Sequence, residues 1–150
     1  MRVWRLARRR YPVLDGEGAR RAGGRWNSPG SAVVYTAGSR ALAALELLAY
    51  VNPGAEPPDL ELFEVHLPDD VPARTVGPTE LERDWRAPRH PDCRVRGDTW
   101  ARSADTLLLV VPSAMIPEEP NYLINPAHPA ASRVRVVSSR PFSYDPRLQR

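Results

Sequence analysis

The chain has 150 residues, of which 42% are hydrophobic and 26% charged, so it is an ordinary globular sequence long enough to bury one core. A net charge of +3 is too small for a polycation that coats nucleic acid, although it favours a small anionic ligand. No apolar stretch approaches the ~20 residues that span a bilayer, and the N-terminus lacks the apolar core of a secretory signal. The single cysteine, Cys93, suits a reducing compartment. We therefore expect one cytoplasmic domain over residues 1–150.

The first predicted elements in chain order are a strand, a helix and a second strand. Residues 33–37, "VVYTA", are rich in β-formers and follow a Pro-Gly turn. Ser39 then offers a capping hydroxyl to a helix over 40–51, which "NPG" at 52–54 would stop. Residues 60–68 alternate apolar and polar side chains, which predicts a half-buried strand.

The second half of the chain mixes short helices and strands. Thr79 and Glu82 have capping-box spacing and predict a short helix from Thr79 to Trp85, and residues 97–103 predict a further helical turn opened by Asp98. The apolar run 106–113 predicts a central strand buried on both faces, and 133–139 an edge strand. The sequence therefore predicts a small α+β domain with a mixed sheet.

One carboxylate stands out in the predicted helix. Every side chain from Ala41 to Val51 is apolar or aromatic except that of Glu46. Burying an unpaired carboxylate is costly, so Glu46 must be paired, protonated or directed at a cleft. Two interpretations stay open from the residues alone: an ion pair with one of the many arginines, or a functional acid.

Five further residues are weaker candidates, each with a purely structural alternative. Arg25, in the tight loop "GGRWNSPG", could fork onto a phosphate, or be a surface arginine. Tyr35 could stack on a flat heterocycle, or simply fill the sheet. Ser113 ends a predicted strand, where sheets deliver polar groups into clefts, but lacks the G-x-S-x-G context of a nucleophile. Asn125 or His128 could be presented by the rigid segment 121–129, or only hold its turns.

Metal and nucleotide motifs are not apparent in the sequence. His128 has no second ligand at a suitable spacing, so we expect no metal site. His66 and His90 are interpreted as surface residues. Neither a Walker loop nor G-x-G-x-x-G occurs.

Taken in order, several phrases resemble the RES domain family. They are "GGRWNSPG", "VVYTA", "ALELLAY", "VPSAMIPEEPNYLINPAHP" and "DPRL", and the likeness runs from about Trp4 to Leu148. The family is named for an Arg, a Glu and a Ser, which match Arg25, Glu46 and Ser113. The resemblance implies an ADP-ribosyltransferase-like fold, with a split, twisted mixed β-sheet and short flanking helices around an NAD cleft.

The resemblance also implies a function. By this resemblance the protein would be the toxin of a bacterial type II toxin–antitoxin system. The toxin would deplete NAD by hydrolytic or phosphorolytic cleavage of the nicotinamide–ribose bond. NAD is then the substrate, no cofactor is needed, and an Xre-like antitoxin covers the active site. The alternatives are a mono-ADP-ribosyltransferase with a protein target, a non-catalytic partner-binding module and, from the arginines of "RLARRR", a nucleic-acid binder. The acceptor, whether water, inorganic phosphate or protein, stays open, as does any role for residues 71–98.

The same resemblance implies roles for single residues. Glu46 would stabilise the oxocarbenium-like ribose, and Arg25 would hold the pyrophosphate of NAD. Tyr35 would pack against nicotinamide, and Ser113 would hydrogen-bond the nicotinamide ribose or amide. Asn125 would line the pocket.

Overall fold

The computed structural model describes residues 1–52 and 54–148. Its strands are β1 (Arg2–Arg8), β2 (Val34–Ala37), β3 (Leu60–His66), β4 (Ala73–Thr75), β5 (Leu108–Pro112), β6 (Pro120–Ile124) and β7 (Arg135–Pro141). Its α-helices are α1 (Glu17–Ala22), α2 (Arg40–Leu48) and α3 (Pro91–Ser103). None of the helices in this part of the chain combines the length and apolarity needed to cross a membrane.

All seven strands join one sheet in the order β4-β5-β6-β2-β1-β3-β7. The pair β4–β5 is parallel, and the other neighbouring pairs in the described ranges are antiparallel. The predicted α+β class with a mixed sheet is therefore confirmed. The edge position predicted for residues 133–139 is also confirmed, because β7 lies at one edge of the sheet and is exposed along its length.

The sheet carries apolar clusters on both faces, as its alternating side chains require. Val34 of β2 packs in a cluster with β1, β3, β5 and β6. On the opposite face, Tyr35 packs against a cluster that includes α3, and Ala37 belongs to a cluster built around α2. The two helices thus cover different parts of the same face, and β2 runs between them.

The middle of the sheet is split. Strand β1 pairs with β3 along its whole length, but over the described residues it pairs with β2 only at Trp4 and Ala37. Beyond that point the side chain of Arg5 spans the gap, and its Nη1 donates to the carbonyl of Tyr35 at 2.8 Å. The divergence of β1 and β2 opens the crevice described below.

Two predicted helices near the middle of the chain need correction. No α-helix runs from Thr79 to Trp85; a short 3₁₀ turn at Pro78–Glu80 takes its place, with Glu80 accepting from the Gly77 N–H. The long helix begins only at Pro91, because the ring of His90 caps it. The predicted turn at 97–103 is the second half of α3, not a separate element.

Other boundaries are close to prediction. Helix α2 begins at Arg40 with the predicted Ser39 cap, whose Oγ accepts from the Leu42 N–H at 3.1 Å. It ends at Leu48 rather than at 51, and the predicted stop signal includes Pro53, which lies outside the described residues. Strands β1 and β6 were not predicted as strands, and both contribute side chains to the crevice.

Candidate active site

Glu46 lies where the two halves of the sheet separate. Leu42, one helical turn earlier on α2, is buried against the sheet, and the i, i+4 spacing brings Glu46 to the same side of the helix. Its half-buried side chain lines a cavity of about 340 Å³ in the split between β1 and β2. The acid therefore faces a cleft, as its place in an apolar helix suggested.

The carboxylate of Glu46 is held through one oxygen. Its Oε1 accepts from the hydroxyl of Ser113 at 2.7 Å and from Nδ2 of Asn121 at 2.6 Å. No arginine in the described part of the chain forms an ion pair with it, so the ion-pair interpretation is not supported. Oε2 has no hydrogen-bond partner among the described residues and is not buried, which leaves it open to the cavity.

Ser113 follows the last residue of β5 and is completely buried. Its hydroxyl donates to Glu46 and accepts from the N–H groups of Met115 and Ile116, at 3.0 and 3.1 Å. One donor and two acceptor sites are the full capacity of a hydroxyl, so nothing remains for a direct bond to a ligand. The geometry makes Ser113 a positioning residue for Glu46 rather than a residue that touches the substrate.

Asn121 is an amide of this cavity that sequence analysis missed. It lies in β6 directly opposite Val111 of β5, so the start of β6 is beside Ser113 at the end of β5. Reading "NYLI" as a strand antiparallel to β5 would have shown this. The predicted Asn125 is not among the cavity-lining residues: it is 1% exposed and bonds to the Ala101 carbonyl and the Ala127 N–H.

The loop that carries Arg25 is organised by Tyr35. The Tyr35 hydroxyl donates to Oδ1 of Asn27 at 2.6 Å and accepts from the Trp26 N–H at 3.0 Å. Gly24 is needed here, because a Cβ at that position would lie 2.7 Å from the same hydroxyl. Burial raises the pKa of Tyr35 above its ordinary value, which keeps the hydroxyl protonated as a donor. Its ring lines the cavity, while its polar end supports the loop.

Arg25 is held by backbone carbonyls on the far side of the cleft. Its Nη1 donates to the carbonyls of Trp85 and Ala87 at 2.9 and 3.0 Å, and its Nη2 donates to that of Arg86 at 3.2 Å. These bonds use three of its five N–H groups, and the guanidinium also lies beside the buried thiol of Cys93. The Arg86 side chain in turn donates to the carbonyl of Ala114 at 2.8 Å. Residues 85–87, for which the sequence indicated no role, are not among the cavity-lining residues, but they hold Arg25, which does line the cavity.

Arg5 is a second cation that sequence analysis did not single out. It lies on β1 and lines the cavity, and apart from its bond to the Tyr35 carbonyl it has no hydrogen-bond or ion-pair partner among residues 1–52 and 54–148. Its Nε is buried without a partner. Burial lowers the pKa of this guanidinium, yet an arginine remains charged in proteins. Arg5 as a whole is half-buried, and although the charge of Asp15 acts on it, a cation without an ion-pair partner in the described residues attracts an anionic ligand.

Two of the three histidines act as helix caps. Nδ1 of His128 accepts from the Ala130 N–H at 3.0 Å. His90 is buried, which corrects its interpretation as a surface residue, and its Nδ1 accepts from the Asp92 N–H at 3.2 Å. Nε2 of His90 lies 3.0 Å from Asp84 and 3.6 Å from Glu82, a grouping with metal-ligand composition. Because Nδ1 accepts, Nε2 carries the proton and donates to the carboxylate, so no ring lone pair faces this group.

The comparisons with known proteins confirm the resemblance to the RES domain family. The RES domain model matches residues 2–145. The "Prs ADP-ribosylating toxin" of Sphingobium sp. is 45% identical, over 98% of this chain and 96% of that protein. The protein "Toxin Res" of Yersinia enterocolitica is 34% identical, over 99% of this chain and 100% of that protein.

A solved structure has the same fold. A chain of the crystal structure of the M. tuberculosis MbcT–MbcA toxin–antitoxin complex superposes with a TM-score of 0.79 at 19% identity, covering 99% of this chain and 86% of that one. The two full-length relatives above are toxins by name, and the matched family model extends over nearly the whole chain. The chain therefore belongs to the RES domain family.

Proposed function

We propose that this protein is the toxin of a toxin–antitoxin system and depletes NAD by cleaving its nicotinamide–ribose bond. The observation that carries the proposal is Glu46, the one carboxylate that lines the cavity among the described residues, with Oε1 fixed by Ser113 and Asn121 and Oε2 open. A fixed acid facing two incompletely paired arginines suits a substrate that is anionic and becomes cationic at the reacting carbon.

A single carboxylate is enough for this reaction. Glycosidases usually need a second carboxylic acid to protonate the leaving oxygen. When the C1′–N bond of NAD breaks, the electron pair stays on the positively charged pyridinium nitrogen, and nicotinamide leaves neutral without receiving a proton. The remaining requirement is stabilisation of the positive ribose, which Oε2 of Glu46 would supply. Because Ser113 and Asn121 hold Oε1, Oε2 is in place before the charge develops.

The substrate's pyrophosphate would lie between the cleft's two arginines. Arg25 has N–H groups beyond the three that bond to residues 85–87, and Arg5 is a half-buried cation with no carboxylate bonded to it in the described residues. Charge-assisted bonds to phosphate are among the stronger hydrogen bonds in proteins. Tyr35 would pack its ring, not its engaged hydroxyl, against nicotinamide.

A second candidate reaction uses the same residues. The relative named "Prs ADP-ribosylating toxin" is 45% identical, which favours transfer of ADP-ribose to a protein as an alternative to capture by water or phosphate. The cavity lining contains no second acid or base to select the acceptor among the described residues, and a ribosyl cation reacts readily with any of the three. The acceptor is therefore a matter for experiment.

An antitoxin partner follows from the same proposal. The structural relative comes from a toxin–antitoxin complex, and we infer a comparable Xre-like partner that covers the cleft in the cytoplasm. The "RLARRR" arginines give little support to nucleic-acid binding, since Arg5 lies in the cleft and Arg8 and Arg10 both bond to Asp59 at 3.0 Å. A purely non-catalytic module would not require Arg25 and Glu46 to line the same cavity.

The test is nicotinamide release from NAD by purified Glu46→Gln protein, measured by chromatography with and without phosphate and with cell extract. Glutamine keeps an oxygen for the bonds from Ser113 and Asn121 but not the negative charge, so we expect release to fall on the order of 10²–10³-fold with NAD binding retained. Glu118→Gln, an exposed glutamate, is the matched control. Near wild-type release by Glu46→Gln would contradict the proposal, and a requirement for phosphate or extract would identify the acceptor.

A further inference from the structure

A second cavity, of about 440 Å³, adjoins the first. The two share Arg5 and Gly18 in their linings, so Arg5 stands at their junction. Along β1 the lining passes from Trp4 and Arg5 in the first cavity to Arg5 and Arg8 in the second, about 10 Å further for three residues of strand. A ligand longer than one nucleotide at Glu46 would extend past Arg5 into this space.

The far end of the second cavity presents an exposed aromatic ring. Tyr11 lines it and is 58% exposed, so its ring is accessible to a ligand. The guanidinium carbon of Arg8 lies 5.6 Å from the centre of that ring, and its Nε is held at 3.0 Å by Asp59. Arg8 thus supports the ring by a cation–π contact, which gives a planar surface for a heterocycle.

An acid also lies near the junction, where the charge of Asp15 raises the pKa of Arg5 against the larger effect of burial. Asp15 lines the second cavity, and its Oδ1 accepts from the Glu17 N–H at 3.0 Å. Asp15 is exposed, and its Oδ2 has no hydrogen-bond partner among the described residues, so it is free to accept from hydroxyl groups. A carboxylate in this position suits a ribose, whose hydroxyls it can accept from.

We propose that the second cavity binds the adenosine half of the dinucleotide, with the base stacked on Tyr11, the ribose hydroxyls bonded to Asp15, and the pyrophosphate on Arg5 at the junction. The inference rests on the proposed function, because it assigns the second half of the same substrate. The chemistry recognised is that of a purine ribonucleotide. Free AMP has the base and ribose but no nicotinamide, so its binding tests this site separately from the cleavage site.

The experiment measures AMP binding by calorimetry and steady-state cleavage of NAD and of nicotinamide mononucleotide, for wild type, Tyr11→Ala and Tyr11→Phe. Loss of base stacking costs about 1–3 kcal/mol, so we expect Tyr11→Ala to weaken AMP binding and raise KM for NAD by about 5- to 100-fold. Cleavage of the mononucleotide, which has no adenosine, should stay unchanged. Tyr11→Phe keeps the ring and should resemble wild type in every assay. Val95→Ala, an exposed apolar residue on α3, is the control.

The outcomes separate this inference from the proposed function. If Tyr11→Ala binds AMP as wild type does, or changes NAD and mononucleotide cleavage equally, the adenosine assignment is wrong while Glu46-dependent cleavage can stand. If wild type releases nicotinamide from neither substrate, the proposed reaction fails. If AMP binding then still depends on Tyr11, the second cavity is a purine nucleotide site. If AMP binding does not depend on Tyr11, the assignment of that cavity is wrong as well.

Discussion

The two walls of the cleft hold their key side chains in different ways. On the Glu46 wall, a helix and the facing ends of β5 and β6 supply the side chains of Ser113 and Asn121 to one carboxylate. On the Arg25 wall, the guanidinium is held by three consecutive carbonyls of residues 85–87, which belong to no helix or strand. One wall relies on regular elements, and the other on irregular backbone.

This difference suits the two tasks in the proposed reaction. A group that meets developing charge must be fixed in advance, and the ends of strands and helices fix side chains well. A group that grips a phosphate tolerates more movement, because it has two N–H groups and rotatable bonds. The irregular wall, however, keeps its shape only through packing, so its weak points lie at close backbone contacts.

The largest effect is expected at such a contact, Gly97. A Cβ on Gly97 of α3 would lie 1.6 Å from the carbonyl oxygen of Trp26, the residue after Arg25. Gly97→Ala must therefore move the helix or the loop, and we expect the free energy of unfolding to fall by at least about 3 kcal/mol, with NAD cleavage nearly lost. Thermal and denaturant unfolding measure the first effect, and nicotinamide release the second.

Gly18→Ala is the matched control for stability. Gly18 lies in α1, and a Cβ there would have no atom within 4 Å, so alanine should stabilise that helix by up to about 1 kcal/mol. Equal stability of the two variants would mean that α3 and the Arg25 loop adapt freely. The shape of the Arg25 wall would then not depend on close packing between α3 and the loop.

Most of the Glu46 wall could be predicted from the sequence, since it follows from local patterns. An acid in an apolar helix and a serine after an apolar run can be recognised without knowing which residues they contact. Ser39 marks the start of the helix. Asn121 was missed because "NYLI", which lies between Pro120 and the Asn125–Pro126 step, was interpreted as part of a loop. Its role depends on pairing with β5, which is a long-range contact that the segment itself does not encode.

Much less of the Arg25 wall and of β1 could be predicted. The loop glycines identified Arg25, but its partners are backbone carbonyls sixty residues away, and any residue type has a carbonyl. Arg5 was missed because β1 reads as "RVWRLAR", in which arginines occupy inward and outward positions alike. The capping-box spacing of Thr79 failed because burial of Trp85 and the His90 cap of α3 outweighed local helix propensity.

A smaller effect is expected on the Glu46 wall from Ser113→Ala. The change removes one donor from Glu46 and leaves two backbone N–H groups without their acceptor. Because Asn121 still holds Oε1, we expect kcat to fall by about 10- to 100-fold with little change in KM, and the free energy of unfolding to fall by about 1–3 kcal/mol. Ser39→Ala is the control, since it costs about 1 kcal/mol at the cap of the same helix without touching Glu46. Equal kcat values for the two serine variants would mean that Ser113 acts only on stability.

The smallest effect, and the one that compares the walls most directly, is expected from Arg86→Ala. The Arg86 carbonyl bonds to Arg25 and its side chain to the Ala114 carbonyl, next to Ser113, so this residue joins the two walls. Alanine keeps the carbonyl and loses only the side-chain bond, worth about 0.5–1.5 kcal/mol, so the wall loosens without losing its grip on Arg25. If the walls have separate tasks, we expect KM for NAD to rise about 2- to 10-fold and kcat to stay unchanged. Arg83→Ala, which changes an exposed arginine of the same segment, is the control and should change neither constant. A fall in kcat instead would mean that loss of the Arg86 side-chain bond displaces Ser113 and, through it, Glu46. The two walls would then not have separate tasks.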